Sequence, residues 1–100
     1  GETPLESAQR ELHEETGFGG GEWMHLMTIS SNTSSVNNQC HCFVARGVKR
    51  VSAPHQEATE DISVHFLTVD EVRSLLLHNE IKQALMLAPL WRYFAEHHLW

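Results

Sequence analysis

The chain has 100 residues, 41% hydrophobic and 20% charged, a composition expected of one modest globular domain spanning residues 1–100. Its net charge of -6 argues against nucleic acid as the main partner, since phosphate binding needs a basic face, and against anionic membranes. It does not exclude a phosphate substrate whose charge is met by a divalent cation.

Thr3-Pro4-Leu5-Glu6 reads as a helix start. Thr3 can cap, Pro4 suits the first helical position and Glu6 completes a capping box. Gly17 suits the left-handed residue that ends a helix, so the first helix is predicted from about Pro4 to Thr16. At about 100° per residue, Leu5, Ala8 and Leu12 share its apolar face. Glu11 and Glu15 flank that face on one shoulder and Glu14 lies further round, while Glu6, Gln9 and His13 point elsewhere.

Gly19-Gly20-Gly21 reads as a flexible joint, and Glu22 to Ile29 as a strand. Ser31 to Val36 is a polar loop. Gln39 to Ala45 is a second strand, in which Cys40 and Cys42 face one side and His41 the other. Those cysteines are too close in sequence for an unstrained disulfide within one strand, and core packing is expected of them. They suit a reducing, cytoplasmic setting. Arg46 to Glu60 reads as a loop with a short strand near Val48–Val51. Ile62 to Leu67 alternates and is predicted as a third strand. Thr68-Val69-Asp70-Glu71 is a second capping box, opening a helix to about His78. Asn79 is expected to cap the last helix, which carries Ile81, Ala84, Leu85 and Ala88. Pro89 is expected to kink or break it before Leu90 to His97 continues. Trp91, Tyr93 and Phe94 are expected to pack that helix on a sheet or another subunit. Trp23 offers a surface for a base or, more simply, core packing. No apolar run approaches the length of a membrane span.

The chemistry concentrates in Arg10-Glu11-Leu12-His13-Glu14-Glu15-Thr16-Gly17-Phe18. Glu11 and Glu15 are one helical turn apart, and Glu14 is three residues from Glu11. Three carboxylates on one helix flank supply the hard oxygen ligands that magnesium and manganese prefer. Arg10 is spaced to pair with Glu2 or with Glu14. Read from the residues alone, a metal cluster and a solvated acidic helix face both stand.

Glu2, seven intervening residues, and then Arg10 to Phe18 resemble the Nudix box, G-x5-E-x7-R-E-U-x-E-E-x-G-U, with U a bulky apolar residue. From Glu2 onward every specified position matches. The resemblance implies a hydrolase of nucleoside diphosphates linked to another moiety. It further implies an α/β (α+β) domain, an α/β/α sandwich with a mixed sheet, and Mg2+ or Mn2+ on the box helix. The stretches Asn37–Gly47, Gln56–Val64 and Asn79–Ala84 are similar to the ADP-ribose pyrophosphatase-like branch, although Asn38 stands where that branch often has an acidic residue. Carried over, the resemblance makes Glu11 and Glu15 direct metal ligands, and Glu14 a further ligand or a group acting through water. Glu60 becomes a metal-binding or base-supporting carboxylate, Glu57 a neighbouring candidate, and Arg10 with Glu2 a structural pair. A nucleotide sugar such as ADP-ribose is the implied substrate, and a homodimer the implied assembly. The pattern opens with a glycine ahead of Glu2, so the expectation is the C-terminal part of a longer enzyme, with N-terminal strands missing. The alternatives are a non-catalytic module that binds a nucleotide or a protein, and an inactive fragment of a longer enzyme.

Overall fold

The computed structural model describes residues 1–30, 39–53 and 64–100. They form three helices and two two-stranded sheets, the α+β class expected and compatible with a Nudix-like α/β fold. Helix α1 spans Pro4–Thr16, with strands β1 Phe18–Gly19, β2 Glu22–Ser30, β3 Gln39–Arg46 and β4 Lys49–Arg50 following it. Helices α2 Val69–Leu77 and α3 Ala84–Glu96 complete the order. Strand β1 pairs antiparallel with β4, Phe18 opposite Arg50 and Gly19 opposite Lys49, and β2 pairs with β3.

The Cα packing divides the chain into two compact units. The first comprises Gly1–His25 and Phe43–His65, the second Leu26–Cys42 and Phe66–Trp100. In the first, the capping box forms as read. Thr3 Oγ1 accepts from the Glu6 amide at 3.1 Å, and Glu6 Oε1 accepts from the Thr3 amide at 3.0 Å. These bonds satisfy amides that an open helix end leaves orphaned. Helix α1 packs on β1, and Trp23 and His25 each meet Phe43 in edge-to-face geometry at 6.5 and 5.5 Å between centroids. The glycine joint is a correction: Gly19 is a strand residue, fixed by its pairing with Lys49. The short strand expected near Val48–Val51 is β4.

Among the described residues of the second unit, the buried apolar ones are Leu76 on α2 and Phe94 on α3, 5% and 3% exposed. Thr68 and Glu71 close the second capping box at 3.1 and 2.9 Å. The predicted third strand is not formed at its described residues: Val64–Leu67 lie outside the strands, while Ile62 and Ser63 lie outside the described residues. Phe66 and Leu67 are 69% and 44% exposed, so the alternation there does not report a buried face. Period-2 alternation yields a strand only where a neighbour supplies the ladder.

Asn79 also departs from expectation. It adopts φ 57° just past α2 and donates its amide to the Leu76 carbonyl at 3.3 Å, so it closes α2 and does not open α3. Asparagine tolerates that left-handed geometry better than most residues. Gln83 precedes α3 without a side-chain cap, and Ile81 lies outside the helix. Pro89 sits within α3, which continues unbroken to Glu96. The proline forfeits one backbone bond, while the run from Leu85 to Phe94 keeps a mostly half-buried to buried face that sustains the turns on either side.

Candidate active site

The candidate site is built on α1, and its geometry lies within the first unit. Arg10 is the hub. Its Nε donates to Glu2 Oε2 at 2.8 Å and Oε1 at 3.1 Å, and Nη1 donates to both Glu14 oxygens at 3.0 and 3.1 Å. Nη2 lies 4.0 Å from Glu11 Oε1. The sequence reading left Arg10 to choose between Glu2 and Glu14; the planar guanidinium serves both, because its donors diverge along two edges. The bonds to Glu2, and next to Glu14, hold Arg10 more firmly protonated than usual. One cation thus offsets part of the repulsion among three carboxylates, without being buried itself.

The three box glutamates occupy different environments. Glu11 is exposed, with 61% of its side chain open, and Glu14 is half-buried against Arg10. Glu15 is buried at 9% exposure. Among the described residues, no buried side-chain oxygen or nitrogen lacks a hydrogen-bond partner. Glu57 and Glu60 lie outside the described residues, so the structure brings neither to the box helix nor keeps either away.

Gly17 ends the helix at φ 78° and donates its amide to the His13 carbonyl at 2.8 Å. Thr16 Oγ1 donates to the Leu12 carbonyl at 2.7 Å and accepts the Phe18 amide at 3.0 Å, so the hydroxyl bridges the helix end. The Gly17 carbonyl then accepts the amides of Val51 and Ser52 at 2.8 and 3.2 Å. A Cβ on Gly17 would stand 2.0 Å from the Ser52 carbonyl oxygen, which reserves the position for glycine twice over. Arg50 lies over the Phe18 ring at 5.1 Å, adding a cation–π contact across the β1–β4 pair.

Sequence reasoning missed one contact here. His13, expected to point away, pairs through Nε2 with Ser52 Oγ at 2.8 Å. The bond ties the middle of the box helix to the segment after β4. Residues 13 and 52 carry no local signal of it, because it depends on a register set by β1 and β4. On the same side of α1, Gln9, Gly19, Gly20, Gly21 and Trp23 line a hollow of about 330 Å³. Trp23 Nε1 donates to the Gly20 carbonyl at 2.8 Å, so the indole is held in place.

The donor chemistry of Glu11, Glu14 and Glu15 suits a hard divalent cation. Among the described residues, however, no three His, Cys, Asp or Glu side chains stand gathered as a ready cage. Glu14 is already committed to Arg10, and Glu11 and Glu15 differ sharply in exposure. A cation held here would draw on rearranged side chains of these residues. No helix among the described residues is long and apolar enough to cross a membrane.

A family model described as NUDIX domain matches residues 1–88. A curated relative from Streptomyces rubellomurinus (strain ATCC 31215), a CMP-5'-(N-acetyl-N-hydroxy-3-aminopropyl)phosphonate hydrolase, is 33% identical over 75 residues. That match covers 75% of this chain and 36% of the relative, so the chain corresponds to about a third of the relative's length.

Proposed function

Because the chain belongs to the NUDIX domain family, we propose that it is the box-bearing part of a hydrolase that cleaves a phosphorus–oxygen–phosphorus link in a nucleoside diphosphate joined to another moiety. The observation that carries this reading is the Arg10 hub. The same arginine fixes Glu2 and Glu14, and thereby orders the acidic flank on which Glu11 and Glu15 sit one turn apart. Glu11, Glu14, Glu15 and Glu60 would hold Mg2+ or Mn2+, which supplies positive charge to a pyrophosphate and lowers the pKa of an attacking water. Glu14, Glu57 and Glu60 are the candidates to accept that water's proton. Arg10 and Glu2 keep the helix end in register and touch no substrate.

Within that class we propose a nucleotide sugar such as ADP-ribose. The relative's name, a hydrolase of a CMP-phosphonate, supports a nucleotide carrying a second phosphorus group, and says nothing for adenosine over cytidine. A cytoplasmic, homodimeric protein and a single domain over residues 1–100 belong to the same proposal. A second reading, a Nudix-like binding module without catalysis, has its own observation: Glu14 is held by two bonds to Arg10, so one of the three carboxylates is not free to take a cation.

Release of phosphomonoesters from a panel of nucleoside diphosphate compounds, with and without Mg2+, separates the two. Turnover should require the cation. Glu15→Gln should lower the rate at least about a hundredfold, about 2.7 kcal/mol in barrier, with its folding checked by circular dichroism. Equal turnover by wild type and variant would remove the proposed site. Saturable nucleotide binding without turnover would favour the module.

A further inference from the structure

The second unit contains a pair of groups that no part of the hydrolase reading uses. Cys40 and Cys42 lie on β3, both half-buried and both free thiols. Residues two apart in a strand project from the same face, and here the two sulfurs stand 4.0 Å apart. His41 between them projects to the other face, where its Nδ1 lies 3.0 Å from Thr28 Oγ1. The pair is therefore a two-sulfur site and not a Cys-His-Cys one.

A disulfide requires sulfurs at about 2 Å and a Cα separation that an extended strand strains to provide for residues two apart. Bridging by a single soft cation requires no such closure. Two thiolate bonds of about 2.3 Å span about 4.6 Å in the straight arrangement that a two-coordinate ion takes. The observed 4.0 Å is about 0.6 Å short of that span, a gap that side-chain rotation opens without moving the backbone. Among the described residues, no third His, Cys, Asp or Glu joins the pair to make a cage of three or more. This disfavours zinc, which takes four ligands, and favours a low-coordinate ion that thiolates select.

We propose that Cys40 and Cys42 form a two-thiolate site for a soft, low-coordinate cation, with cuprous copper as the fitting chemistry. On capture, each thiol releases one proton to solvent and two sulfur–copper bonds form. No electron is transferred. Burial, and next the neighbouring Cys40, pushes the Cys42 thiol up to about 11.

The test uses the full reduced chain in competition with bicinchoninate for Cu(I), read by the absorbance of the chelator complex. Wild type should withdraw one equivalent per chain. Cys40→Ser and Cys42→Ser should each weaken withdrawal at least tenfold, while His41→Ala should leave it unchanged. Equal withdrawal by either serine variant, loss in His41→Ala, or no withdrawal by wild type would overturn the site. A readout on wild type alone covers the case of a misfolded variant. Loading with Cu(I) should protect both cysteines from iodoacetamide in the intact mass. Full alkylation of loaded protein, or a mass lower by two hydrogens, would show an unoccupied pair or a disulfide and equally overturn it. None of these outcomes depends on nucleotide hydrolysis.

Discussion

Gly17 combines two constraints that substitution can separate. Its φ of 78° disfavours any residue with a Cβ, and that Cβ would also meet the Ser52 carbonyl at 2.0 Å. Gly20 shares the first constraint, at φ 68°, with nothing within 4 Å of the missing Cβ. Gly20→Ala should therefore cost only the left-handed conformation, about 1 kcal/mol, while Gly17→Ala should cost about 2 kcal/mol or more because the clash is with backbone. Urea midpoints of the two variants check this, and equal losses would mean that the Ser52 approach contributes nothing. The sequence already announced Gly17, because a glycine after a periodic run is a helix stop. It did not announce Ser52 as the neighbour. The same division holds at Arg10, where spacing identified Glu2 and Glu14 as partners and only side-chain geometry shows both engaged at once. The His13–Ser52 bond is the extreme case: 39 residues separate the partners, and no pattern within either segment encodes it.

Among the elements, helix ends were legible and strands less so. Both capping boxes form with both bonds present, since a box is a local contract between residues three apart. Those boxes give the protein an acid limit. The Thr3 and Thr68 amides, and next their hydroxyls, hold Glu6 and Glu71 below the usual 4.5. A carboxylate depressed in the folded state stabilises it fully above its unfolded value, and that contribution is lost as pH falls through the lower folded value. Helical circular dichroism should therefore decline as pH drops below about 4.5. The double variant Glu6→Gln, Glu71→Gln should flatten this limb, because a neutral glutamine keeps the cap without titrating; an unchanged limb in the variant would assign it to other groups. The strand predicted over Ile62–Leu67 misled at its described residues, Val64–Leu67, because alternation reports amphipathicity and not strand pairing. Pro89 does not break α3, because the apolar helix face outweighs a single missing amide. Packing on that face should be costly to remove. Phe94→Ala should lose about 3–5 kcal/mol in chemical denaturation, given its 3% exposure, whereas a surface residue of α3 such as Arg92 should lose little.

For the molecule as a whole, 13 acidic residues against 7 basic ones set a net charge of -6, and the box helix gathers four of the acids, Glu6, Glu11, Glu14 and Glu15. Such a chain gains stability from any cation that relieves repulsion, so a thermal shift in magnesium is evidence of a site only if screening is held constant. At 150 mM monovalent salt the Debye length is already about 8 Å, and a few millimolar magnesium changes it little. A residual shift then reports binding to the folded state by RT ln(1 + [L]/Kd). For a Kd of about 1 mM and about 10 mM Mg2+, that is about 1.4 kcal/mol, or several degrees in a domain of this size. Glu11→Gln and Glu15→Gln should each abolish the residual shift if the box carboxylates hold the ion. Glu22→Gln, which removes an exposed charge on β2 outside the box, should keep it. Arg10→Gln provides the sharper discrimination, because it frees Glu14 from two hydrogen bonds while removing the cation that steadies Glu2. If Arg10 only competes with the metal for Glu14, the shift should grow in that variant. If Arg10 orders the flank on which Glu11 and Glu15 are presented, as the proposed hydrolase requires, the shift should shrink, and growth would count against that role.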